Sequence, residues 1–202
     1  MATLNDLFQT AYRFHRDGQY AQAESAYRQL ISQQPRHADA LHLLGVLCHQ
    51  TARHEEAANL IARAIAIDPE NADYLNNCGL ALRAAGRTED ALSCYEEALR
   101  LAPKDAGIQN NLGNAYQEAG RFADAADCYR RVLRAYPQEA ELRQALVSAL
   151  MAQGDQRFSH GSFDDAERCY QEAATVAPAI DILQYNLGNA KRELGKPAEA
   201  AA

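Results

Sequence analysis

Residues 110–137 read NNLGNAYQEAGRFADAADCYRRVLRAYP. Two stretches with apolar residues at helical spacing flank Gly120, and Pro137 closes the second. That is a helix, a tight turn and a second helix stopped by a residue that cannot continue it. Working outward in both directions, the same pattern returns every 34 residues. A column of small residues runs Ala23, Ala57, Ala91, Ala125, Ala166 and Ala200, and only the step from Ala125 to Ala166 departs from 34. Four residues after each of the first five stands a large side chain: Tyr27, Ile61, Tyr95, Tyr129 and Tyr170. Eight further on come Pro35, Pro69, Pro103, Pro137 and Pro178.

Upstream of the alanine column lies a turn position held by Gly18, Gly86, Gly120, Gly161 and Gly195, with Ala52 as the exception. Glycine there ends a helix in the left-handed backbone region at no Cβ cost. A second small column, Ala11, Gly45, Gly79, Gly113, Gly154 and Gly188, falls inside a helix, where glycine costs about 1 kcal/mol against alanine. Close approach of the paired helix is the physical reason for accepting that cost. First helices are expected near 4–17, 38–51, 72–85 and 106–119, and second helices near 21–34, 55–68, 89–102 and 123–136.

The repeat resembles the tetratricopeptide repeat, with Leu112, Gly113, Tyr116, Gly120, Phe122, Ala125, Tyr129 and Pro137 in family positions. The resemblance implies an all-α fold: a right-handed superhelical solenoid of antiparallel helix pairs, with five full repeats and a truncated sixth. The expected organisation is a single domain over 1–202, with repeats near 4–37, 38–71, 72–105, 106–139 and 140–180 and a partial one at 181–202.

The fifth unit carries seven extra residues around Ala140 to Leu146, and Leu142, Leu146 and Leu150 keep an i, i+4 apolar stripe through them. A first helix lengthened to about 139–159 is expected. Seven residues make nearly two turns, so the face shifts by only about 20° while the helix gains roughly 10 Å. The alternative is a kinked linker. The last unit stops at Ala202, two residues after its column alanine. An uncovered apolar face at that end suggests a piece of a longer protein, or a helix completed by a second copy in a homodimer.

Composition narrows the function. With 48% hydrophobic and 23% charged residues the chain can bury a core. A net charge of −7 opposes nucleic-acid binding, which draws its affinity from clustered Lys and Arg. No apolar run approaches the roughly 18 to 20 residues that span a bilayer, and the N-terminus lacks the form of a secretory signal. Neither nucleic acid nor membrane is expected as a partner, and a cytoplasmic location is. Five cysteines without a CxxC pair fit a reducing compartment.

First helices of such a stack line its concave side, where a ligand lies. The helical period places Gln9, Leu43, Asn77, Asn111, Ala152 and Asn186 in one inward column, with Phe8, His42, Asn76, Asn110, Met151 and Tyr185 beside it. One turn on lie Tyr12, Val46, Leu80, Asn114, Asp155 and Asn189. Asparagine is a poor helix former, and its amide can both donate to and accept from a passing peptide bond. The motifs LNNCGLAL, QNNLGNAY and YNLGNAKR resemble the asparagine-bearing repeats of Spindly-type O-linked N-acetylglucosamine transferases. In that family inward asparagines bind the substrate backbone, and Asn77, Asn111 and Asn186 match those positions. Gln9, Leu43 and Ala152 interrupt the ladder. The alternative for the three asparagines is to cap or bridge helices inside the stack. The expected groove residues are Asn77, Asn110, Asn111, Asn114, Asn186 and Asn189, with Tyr12, His42, Leu80 and Tyr185 adding contact area.

Other chemistry finds little footing. The lysine and arginine set that holds a C-terminal carboxylate in co-chaperone repeats is replaced by Phe8, Tyr12, Leu43, Asp73 and Asn77. His37, His42, His49 and His54 cluster near Cys48 without HExxH or CxxC spacing, so surface or groove histidines are expected, not a metal site. His42 and His49 fall on the inward face. Glu55, Glu56, Glu89, Asp90, Asp164 and Asp165 open second helices, where the helix dipole favours negative charge. No catalytic residue, metal or cofactor is expected, and this chain is not expected to be an enzyme. The function expected is binding of a protein or extended peptide, as the N-terminal recognition module of a larger bacterial Spindly-like glycosyltransferase. Alternatives are a standalone assembly or chaperone adaptor and a self-associating scaffold.

Overall fold

The computed structural model describes residues 3–178 and 181–195. Among them are eleven helices and no strand: α1 Leu4–Arg16, α2 Tyr20–Gln33, α3 Ala38–Gln50, α4 His54–Ile65, α5 Ala72–Ala84, α6 Thr88–Leu101, α7 Ala106–Glu118, α8 Phe122–Ala135, α9 Ala140–Ser159, α10 Phe163–Val176 and α11 Asp181–Glu193. The chain forms two compact units, one running to Ile108 and the other beginning at Gln109. The end of the partial sixth repeat, with its column residue Ala200, lies outside the described residues.

In the first unit α1 packs on α2, α3 on α4 and α5 on α6, and each pair meets the next through α2 with α3 and α4 with α5. First helices begin on capping side chains. Thr3 and Asp6 form a reciprocal capping box, His37 Nδ1 accepts from the Ala40 N–H, and Asn71 Oδ1 accepts from the Tyr74 N–H. Each satisfies a backbone donor that the helix start leaves orphaned. At the turns, Gly18 and Gly86 stand at φ +74° and +79°, while Ala52 holds φ 60° despite its Cβ.

The interior glycine column has a steric cause. A methyl group at Gly45 would lie 2.5 Å from Ile61 Cγ1, and one at Gly79 would lie 2.6 Å from Tyr95 Cε1. The large residue of the second helix thus occupies the place of a first-helix side chain, which locks the pair at short range. Leu75, Ala98 and Ile108 form a buried cluster with Ile65, Leu99 and Leu101 packed against it. On the outside, Glu24 and Arg28 of α2 join Arg53 and Glu56 through contacts of 2.5 to 3.2 Å. All five cysteines are free. The Cys78 thiol donates to the Ala58 carbonyl at 4.0 Å, and the neighbouring Cys94 thiol together with burial pushes Cys78 up.

The second unit repeats this plan. Methyl groups at Gly113 and Gly154 would meet Tyr129 Cε1 at 2.8 Å and Tyr170 Cε1 at 2.5 Å. The insertion is helical: α9 runs unbroken for 20 residues, which excludes the kinked linker. Leu146 and Leu150 are buried and Leu142 is half-buried, so the apolar stripe continues through the added turns. Arg130 of α8 reaches past α9 to grip Glu172 of α10, Nε to Oε1 at 2.7 Å and Nη2 to Oε2 at 2.9 Å.

Candidate functional site

The first helices carry the candidate residues, and their polar side chains tie one first helix to the next. In the first unit, His15 Nε2 lies 2.8 Å from Gln50 Oε1, and Tyr74 OH donates to Asp39 Oδ1 at 2.5 Å. His42 Nε2 lies 2.8 Å from Asn77 Nδ2. Each of these links joins residues 35 apart, one repeat plus one residue. His42 also packs on the Tyr74 ring, with centroids 4.5 Å apart, and burial pulls its pKa below the ordinary value. A neutral His42 therefore accepts from the Asn77 amide. Asn77 and Leu80 are half-buried, whereas Tyr12 is 46% exposed.

In the second unit, Asn110, Asn111 and Asn114 lie half-buried on α7. Tyr129 OH donates to Asn114 Oδ1 at 2.8 Å, so this asparagine also braces the second helix of its own repeat. Around α9 to α11, Asp155, Phe158, Tyr170, Asn186 and Asn189 line a cavity of about 140 Å³. Asp155 Oδ1 accepts from Tyr170 OH at 2.6 Å and from Asn186 Nδ2 at 3.3 Å. Asn189 Oδ1 accepts from Arg192 Nη2 at 3.2 Å. Tyr185 stands 63% exposed beside them.

Three residues of this cavity, Asp155, Phe158 and Tyr170, were not among the expected site residues. A signal for Asp155 exists in the sequence. It precedes Tyr170 by 15 residues, as Asn114 precedes Tyr129, and in both repeats the earlier residue accepts a hydrogen bond from the tyrosine hydroxyl.

The histidines disperse. His37 caps α3, His42 engages Asn77, and His49 Nδ1 faces His54 Nδ1 at 3.2 Å. Among the described residues no three His, Cys, Asp or Glu side chains are grouped to hold a metal ion. Nor is any helix among them long and apolar enough to cross a membrane.

The family model of the tetratricopeptide repeat matches residues 8–72, 76–140, 110–156 and 151–202. The chain belongs to the tetratricopeptide-repeat family. Its helix pairs are accordingly those of a repeat scaffold, a fold that serves in general as a protein-interaction module. No curated protein sequence matches the chain significantly.

Solved tetratricopeptide structures share the fold. One, from Parabacteroides merdae, has 20% identity and a TM-score of 0.68, with 98% of this chain and 76% of that chain covered. YrrB, described as having an unusual peptide-binding site, is similar at 16% identity and a TM-score of 0.70, with 91% of each chain covered. A mutant O-GlcNAc transferase from Thermobaculum terrenum reaches 28% identity and a TM-score of 0.62 over 67% of this chain. The match spans 28% of that transferase.

Proposed function

We propose that this tetratricopeptide chain binds extended polypeptide on the first-helix faces within each of its units and performs no catalysis itself. The observation that carries the proposal is the concentration of half-buried amides there: Asn77 in the first unit, and Asn110, Asn111, Asn114, Asn186 and Asn189 in the second. Side-chain amides at this depth are partly shielded from water and recognise peptide bonds without reading the side chains between them. Tyr12, His42, Leu80 and Tyr185 add apolar and aromatic contact area. The Asp155 cavity adds a carboxylate that suits an N–H or ammonium donor.

The finer proposal makes the chain the substrate-recognition module of a larger Spindly-like glycosyltransferase in the cytoplasm. The likeness to the Thermobaculum terrenum transferase supports it, because that likeness has the higher identity and falls on a fraction of the enzyme. The extent of the likeness to YrrB, 91% of both chains, favours instead a standalone adaptor. A catalytic domain encoded in the same reading frame after Ala202 would decide for the transferase. Self-pairing is tested separately by the mass of the protein in solution.

The groove is tested with a peptide library against the parent and the variant Asn77→Ala with Asn111→Ala. Two lost hydrogen bonds of about 0.5 to 1.5 kcal/mol each lower affinity about tenfold. Equal affinities, with the helical content unchanged, remove the asparagines from the site.

A further inference from the structure

The second unit has a cavity away from the amide faces, and the seven-residue insertion builds part of its wall. About 470 Å³ in volume, it lies between the C-terminal ends of α8 and α10 and the start of α9. Its apolar lining comes from Leu133, Pro137, Leu146 and Val176, and Arg134 and Arg143 stand at its edge. Both arginines are exposed.

The charges here are unusual for this chain. Arg130, also in the lining, is neutralised by Glu172 and Asp127. The Arg134 and Arg143 guanidiniums have no ion-pair or hydrogen-bond partner among the described residues. The internal repeat shows why Arg134 lacks one. Its counterpart 34 residues earlier, Arg100, pairs with Glu97 at 2.7 Å, but the position 34 residues after Glu97 is Arg131. Arg143 lies within the insertion and has no counterpart at all. Residues 130–143 hold four arginines against two glutamates in a chain whose net charge is −7.

We propose that this cavity is a second binding site, for a polypeptide segment in which acidic side chains flank a large apolar one. The volume lies in the range of ligand pockets, roughly 300 to 1,000 Å³, and exceeds what a simple anion fills. The apolar lining takes the large side chain, and the two unengaged guanidiniums accept flanking carboxylates by charge-assisted hydrogen bonds. Elsewhere the acidic surface repels such a segment, so local complementarity sets its place and orientation. The site does not depend on the first-helix amides.

The test uses the full chain and a labelled, end-capped peptide alternating glutamate with leucine, read by fluorescence anisotropy. Charge reversal by Arg134→Glu with Arg143→Glu weakens binding about tenfold or more, and the milder Arg134→Gln with Arg143→Gln acts in the same direction. Both side chains are exposed, so thermal unfolding stays as in the parent. Replacing the peptide's glutamates by glutamine, or its leucines by serine, weakens binding by a similar factor. The charge reversal weakens binding by the same factor in a chain that also carries Asn77→Ala with Asn111→Ala. Equal affinity of parent and charge-reversed chain overturns the proposal, as does full affinity of the glutamine peptide. Saturation by inorganic phosphate with no peptide binding would mean an anion site only, and loss of binding in the asparagine variant would move the peptide to the first helices. Either result also overturns it.

Discussion

At position 52 the backbone turns through φ 60° on a residue that has a Cβ, while the turns at 18, 86, 120, 161 and 195 use glycine between +71° and +79°. Alanine pays a steric penalty in that region which glycine escapes, offset in part by glycine's greater freedom in the unfolded chain. Ala52→Gly should therefore raise stability by about 0.5 to 1 kcal/mol, read as a higher denaturation midpoint at unchanged slope. Position 52 was legible in the sequence because a turn obeys local sterics and its neighbours at 34-residue spacing show what the backbone wants. The partner of Asn77 was not. The His42 link depends on rotamers of two side chains from different repeats, and columns spaced by 34 do not reveal a contact spaced by 35. Asp155 was passed over for a related reason: residue type drew attention to the asparagines, while its role comes from standing 15 residues before Tyr170.

Elements were easier to read than the bonds between them. The expected helices agree with the observed ones within a few residues, and the stripe of Leu142, Leu146 and Leu150 was enough to forecast that α9 runs through the insertion. Ion pairs between elements left no comparable trace, because a charged side chain on an outer face has many partners within reach. Glu24 shows what such a pair contributes. Hydrogen bonds from Arg53 first and Arg28 next pull its carboxyl from an ordinary 4.5 down to about 2, against the opposing effect of burial. A carboxyl depressed in the folded state stabilises above its unfolded pKa, and that contribution disappears as pH falls through the folded value. With Glu24 about a quarter exposed, solvent screening reduces the contribution to about 1 kcal/mol. Glu24→Gln should cost that much near neutral pH. In urea titrations at descending pH, the gap to the parent should narrow below about 4.5 and close near 2. A gap that persists in acid would assign the cost to packing.

On the scale of the molecule, each helix pair meets only its neighbours in sequence within its unit, so stability is a sum of local terms more than one cooperative core. Gly154→Ala tests this. Its methyl would lie 2.5 Å from Tyr170, an overpacking worth about 1 to 3 kcal/mol. Hydrogen exchange should quicken in α9 and α10 and stay as it was in α1 to α4. Uniform acceleration along the chain would show that the stack unfolds as one body. The bracket from Arg130 to Glu172 carries a different consequence. It ties α8 to α10 across the helix that stands between them in sequence. The added turns of α9 therefore give one repeat a wall of its own, while the second helix of that repeat stays joined to the second helix before it.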